Sequence, residues 1–163
     1  MIFIIEAVLA CLLFTIIVTK SVNDNPLNWI SDYPPRIVER CKELGLIKEV
    51  ETIKTPKVLA RKLIAAVCFG VLMGVAITYI NGAKSFNEGF LISYGLWLVV
   101  AWYDAFVIDC IWFAHSKKII IPGTEDMIDE YHNYWFHIKM SFIGSLIGLP
   151  VAIFAGLIVT LLV

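Results

Sequence analysis

Apolar positions along the chain gather into four long blocks, 2–18, 63–80, 90–114 and 140–163, separated by polar stretches. Crossing about 30 Å of hydrocarbon takes about 20 helical residues at about 1.5 Å each. Each block approaches or exceeds that length. None shows the period-two alternation over about ten residues that a membrane barrel requires. The pattern predicts an all-α integral membrane protein, a four-transmembrane-helix bundle forming a single membrane domain over residues 1–163. The expected spans are 2–18, 63–80, 90–114 and 137–163.

The polar stretches carry their own signals. After the breaker-rich run Asn23-Asp24-Asn25-Pro26, the sequence Asp32-Tyr33-Pro34-Pro35 resembles a helix start and Gly45 a C-terminal cap. Between them Ile37, Cys41 and Leu44 recur at i, i+4, i+7, with Arg36, Glu39, Arg40, Lys42 and Glu43 elsewhere. This predicts an amphipathic helix over 35–45, between spans one and two, lying on the cytoplasmic membrane surface as a tether or as a binder of lipid headgroups or a partner. Farther on, Pro122-Gly123 makes a turn and Thr124 reads as an N-cap before Glu125 and Asp126. With no Gly or Pro until Gly144, one helix is expected from about residue 125 through the fourth span.

Composition agrees with the pattern: 60% of the 163 residues are hydrophobic and 17% charged, against about 45–50% and about 25% in soluble domains. Little length is left for a separate soluble domain. A net charge of −1 supplies no basic field, so nucleic acid is not an expected partner, whereas membrane lipids are. Placement of charge says more than its sum. Nine Lys and Arg fall in 19–62 and three in 116–139, while 81–89 holds only Lys84. The positive-inside rule places both long connections in the cytoplasm and both termini outside, in the cell (plasma) membrane. No basic residue precedes the first block, which is therefore read as a span rather than a secretory signal.

Ionisable groups inside spans are costly and mark candidate sites. Glu6 lies in the first span and Asp104 and Asp109 in the third. On an α-helix the two aspartates point about 140° apart, whereas Asp104, Ile108, Ile111 and His115 share a stripe. On the expected helix from 125, Asp126, Glu130, Asn133 and His137 also share a face, and Asp129 and His132 form an Asp-x-x-His pair. All three histidines, His115, His132 and His137, fall within 23 residues beside these carboxylates. Imidazole with carboxylate suits acid/base catalysis by Asp109, His115, His132, His137 and Glu130. It equally suits a divalent metal held by His115, His132, His137 and Asp126. Trp102, two turns before Asp109, is expected to line the same cavity.

Ala66, Gly70 and Gly74, and likewise Gly144, Gly148, Ala152 and Gly156, recur every four residues. Such faces let helices approach closely, here with each other or across the axis of a homo-oligomer or membrane partner. Pro150 should kink the fourth span. The cysteines, Cys11, Cys41, Cys68 and Cys110, lack metal-like spacing and read as small buried hydrophobes. Three functions remain in play. The first is a membrane enzyme acting on a lipidic or amphiphilic substrate at the cytoplasmic mouth of spans three and four. The second is a small proton- or cation-coupled transporter or channel using Asp104 and Glu6. The third is a non-catalytic assembly subunit.

Overall fold

The computed structural model describes residues 1–48 and 56–163, with the side chains of 56–58 left aside. Residues 49–55 of the first basic connection, Lys54 among them, lie outside the described residues. Among those described the fold is all helical, with no strand. α1 is Ile2–Asp24, α2 Pro35–Glu43, α3 Pro56–Ala76, α4 Phe86–Tyr103, α5 Ile128–Tyr131 and α6 Tyr134–Leu162. α3 continues as a π-helical turn over Ile77–Asn81, and α4 as a π-helical segment over Asp104–Phe113. Short 3-10 helices occupy Pro26–Asp32 and Lys117–Ile119. Four helical stretches are long and apolar enough to cross a membrane: Ile2–Asp24, Leu59–Asn81, Phe86–Phe113 and Ile128–Leu162.

The long helices pack in the order α1, α4, α6, α3, with α4–α6 and α3–α6 the most extensive seams. α1 and α3 are the ends of this row and do not pack closely on each other. Glycine explains the two tight seams. A Cβ on Gly70 would stand 2.7 Å from the Val151 carbonyl and the Phe154 Cβ, and one on Gly74 2.7 Å from the Ala155 carbonyl. A Cβ on Gly148 would stand 2.2 Å from the Trp97 ring, and one on Gly156 2.8 Å from Phe86. The glycine faces of α3 and α6 therefore do not meet each other. Each is filled within the chain by a different neighbour, although Gly144 has open space beside it. α6 continues through Pro150 as one helix.

α2 also departs from expectation. It ends at Gly45, whose φ of +69° lets its N–H reach the Lys42 carbonyl at 2.9 Å while Leu46 N–H reaches that of Cys41 at 2.9 Å. Its apolar stripe covers protein rather than bilayer: Ile37 and Cys41 are each 0% exposed, packed with Tyr33, Phe113, Ile119, Ile121 and Tyr131. Val18 and Val22 of α1 join that core. Leu44, third in the stripe, remains exposed. The cap thus formed is held by hydrogen bonds. Tyr33 Oη donates to the Ile119 carbonyl at 3.0 Å, Ile121 N–H donates to Tyr131 Oη at 3.0 Å, and Thr124 Oγ1 lies 2.6 Å from the same phenol. Burial pushes the Tyr33 hydroxyl above the ordinary phenol range.

The continuous helix expected from residue 125 is broken. α5 stops at Tyr131, and Asn133 starts α6 afresh by accepting a hydrogen bond from Phe136 N–H at 3.1 Å. An asparagine cap ends one helix and begins another without glycine or proline. Asp126, Glu130, Asn133 and His137 consequently do not share a helical face. Glu130 instead pairs with Arg36, and Asp126 with Arg40 at 3.5 Å, tying α2 to the second connection.

Candidate functional site

A cavity of about 760 Å³ lies between α1, α3, α4 and α6. Its lining on α1 runs from Glu6 to Val22, a depth of about 24 Å at helical rise. The wall is mainly aliphatic and aromatic, and the polar groups concentrate toward the capped end. The helix row closes every side of this space except the α1/α3 seam. At the far end of that seam Asn81 Nδ2 donates to Glu6 Oε2 at 2.9 Å.

The π-helical segment decides what faces the cavity. Its i→i+5 bonding widens the turn, so that residues five apart lie much nearer to one face than on an α-helix. Asp104 and Asp109, which α-helical spacing would splay apart, both line the cavity. The turn at Ile77–Asn81 similarly carries Asn81 to Glu6. Facing Asp109 from the first turn of α6 is His137, 2% exposed, with Nδ1 3.2 Å from Asp109 Oδ2. Phe113 and Phe136 stand edge-on to its ring, at centroid distances of 5.5 Å and 5.3 Å. His137 Nε2 is buried with no hydrogen-bond partner.

A carboxylate beside Nδ1 favours the tautomer protonated there, which leaves the lone pair on Nε2. Asp109 and His137 thus stand as a close carboxylate–imidazole pair in the wall of a largely apolar chamber. Four further polar residues line the same space: Asp32, Lys62, Ser93 and Ser141. Sequence reasoning missed them, because their approach depends on how α1, α3 and the 3-10 turn fold back. Crowding by protein pushes the Asp32 carboxyl up, Asp109 adds to the rise, and Ser31, His137 and Lys62 oppose it. Ser93 is 1% exposed and its hydroxyl has no partner. In this it differs from Thr15, Thr78, Ser145 and Thr160, each bonded to the carbonyl four residues earlier.

No family model matches the chain. Curated proteins and solved structures give no match to it either.

The remaining sequence-selected residues sit elsewhere. His115 and His132 face each other at 5.2 Å between centroids, with Tyr134 Oη 3.2 Å from His115 Nε2. They line a separate hollow of about 210 Å³ that shares no residue with the cavity. The expected convergence of His115, with His132 or His137, on Asp109 is therefore reduced to His137. Among the described residues no group of three or more His, Cys, Asp or Glu side chains is gathered to hold a metal. The metal set drawn from sequence is dispersed, with His137 in the cavity, His115 and His132 in the hollow, and Asp126 on Arg40. Trp102 packs on Phe106 and Phe142 rather than lining the cavity.

Proposed function

We propose that the chain is an integral membrane enzyme acting on an amphiphile. The substrate's hydrocarbon portion occupies the cavity, and its polar group undergoes proton transfer at Asp109 and His137. The observation that carries this reading is a buried imidazole paired with a partly buried carboxylate in the wall of a largely apolar chamber about 24 Å deep. The chamber's volume is within the range of small-molecule sites, about 300–1,000 Å³. Asp109 orients the ring and would stabilise the imidazolium formed when Nε2 accepts a proton. Such positioned bases contribute about 10²–10⁴-fold to rates. The α1/α3 seam is the natural entrance for a molecule arriving from the bilayer. Glu130, His115 and His132 do not line this chamber and have no part in the step.

The test places purified protein in vesicles of host-membrane lipid in D₂O and follows lipid masses over time. Wild-type protein should produce deuterium incorporation or a product mass, and His137→Gln and Asp109→Asn should produce neither while keeping the wild-type melting profile. Identical spectra for wild type and His137→Gln would overturn the reading. On this proposal the capped end faces the cytoplasm of the cell membrane, with the termini outside, as the basic residues suggest. A cysteine at Lys84→Cys should then react with an impermeant thiol reagent from outside and one at Lys117→Cys should not. The reverse result would invert the orientation.

One observation favours a second reading, proton or cation transport. Glu6, to which Asn81 donates, lines one cavity at successive positions with Ser93, Asp104 and Asp109, and the Ser93 hydroxyl has no partner. Acidification of protein-containing vesicles under a proton gradient, lost in Glu6→Gln, would establish transport over catalysis.

A further inference from the structure

The polar groups at the capped end are unequal in sign. Asp32, Asp104 and Asp109 line the cavity there, and Lys62 is the one ammonium among the lining side chains. Asp104 has no hydrogen bond or ion pair among the described residues, although it lies close enough to Asp109 and Asp32 for their charges to interact. A lone carboxylate at membrane depth is costly, and an opposite charge in the cavity offsets that cost.

A second observation concerns hydrogen bonding rather than charge. His137 is 2% exposed, and its Nε2 has no partner. With Nδ1 engaged by Asp109 at 3.2 Å, Nε2 of the neutral ring is an acceptor that asks for a donor. Aromatic residues also line the chamber, Trp29 from the same 3-10 turn as Asp32 and Phe113 from the π-helical segment, and aromatic faces attract cations. Excess carboxylate, an unfilled acceptor and aromatic faces together select a cation that carries N–H. A carboxylate or phosphate headgroup meets repulsion there, an alcohol leaves the charge uncompensated, and a quaternary ammonium offers no donor to Nε2.

We infer that the amphiphile taken by this cavity is a single-chain amine, with its primary or secondary ammonium between Asp104 and Asp109 and its chain extending toward Glu6. This rests on the amphiphile reading above and names its headgroup class. The experiment measures binding of four probes with the same fourteen-carbon chain to the full-length protein in phosphatidylcholine nanodiscs. The probes are tetradecylamine, tetradecanol, tetradecyltrimethylammonium and myristate, each corrected for partition into empty nanodiscs. The amine should bind at least about tenfold more tightly than the other three, a difference of about 1.4 kcal/mol. Asp104→Asn should erase that preference while leaving tetradecanol binding unchanged. This variant leaves the Asp109–His137 pair intact, and Asp109→Asn serves as the second variant should the first be unstable.

Equal binding of all four probes would overturn the headgroup assignment and leave the amphiphile reading standing. Tighter binding of myristate would do the same. A preference for the amine that survives both substitutions would place the ammonium elsewhere and overturn the proposed site. Failure of all four to bind above empty nanodiscs would overturn the amphiphile reading itself.

Discussion

Substitution of Gly148 by alanine tests the packing that shapes the cavity. An added Cβ would stand 2.2, 2.5 and 2.6 Å from Trp97 Cδ1, Nε1 and Cγ, whereas ordinary contact begins at 3.4 Å. The ring would have to retreat by about 1.2 Å, or α4 and α6 part by as much. The same retreat carries Nε1 away from the Gly144 carbonyl, to which it now donates at 3.0 Å. Overpacking of this kind costs about 1–3 kcal/mol and the lost hydrogen bond about 0.5–1.5 kcal/mol, so about 2–4 kcal/mol is expected in all. Helix propensity works in the opposite direction, since alanine is favoured over glycine by about 1 kcal/mol. The assay is reversible unfolding in mixed micelles, followed by far-UV circular dichroism, for Gly148→Ala, Trp97→Ala and the double variant. Gly148→Ala should be strongly destabilising alone and neutral or stabilising when Trp97 is absent. An equal loss in both backgrounds, or a single variant within about 0.5 kcal/mol of wild type, would refute the argument.

Two further outcomes follow from the cap. Tyr131→Phe removes the partner of Ile121 N–H and Thr124 Oγ1, a loss of about 1–3 kcal/mol. Labelling of Cys41, 0% exposed in the closed cap, should accelerate roughly 5- to 150-fold, and an unchanged rate would refute the network's role. Asp32 is raised by crowding and by Asp109, so the stability linked to its protonated form is full below its unfolded value of about 3.9 and declines as pH rises through the folded value. Asp32→Asn should therefore melt higher than wild type at pH 7, with the difference vanishing near pH 3. A lower melting temperature for the variant at pH 7 would contradict that sign.

The four long helices were legible because twenty apolar residues have few alternatives, and Gly45 announced its cap through the one conformation glycine adopts freely. The site was legible only in part. Asp109 and His137 stand out as ionisable groups, but α-helical spacing of about 100° per residue sets Asp104 and Asp109 apart, and the π-helical segment does not obey it. A widened turn has no fixed signature in residue type, since it depends on what the neighbouring helices can accommodate. The break at Asn133 was hidden for a related reason. An asparagine that caps a helix and one that merely decorates it look alike until Phe136 N–H is seen pointing at its side chain. For α2 the stripe of Ile37 and Cys41 was read correctly as apolar, yet the same stripe suits a bilayer or a protein core. Only Tyr33, Ile119 and Tyr131, brought together by tertiary folding, settle which.

The cap has a consequence for biogenesis. Tyr33 closes onto the Ile119 carbonyl 86 residues later in the chain, and at about 5–20 residues per second that partner is synthesised roughly 4–17 s after it. Throughout that interval Ile37 and Cys41 lack the part of their core that Ile119, Ile121 and Tyr131 supply. A nascent chain truncated before Ile119 should therefore hold α2 against the bilayer or a chaperone, and release it only when the second connection emerges. The amphipathic stripe would thus serve in turn as a temporary surface anchor and as part of the permanent core.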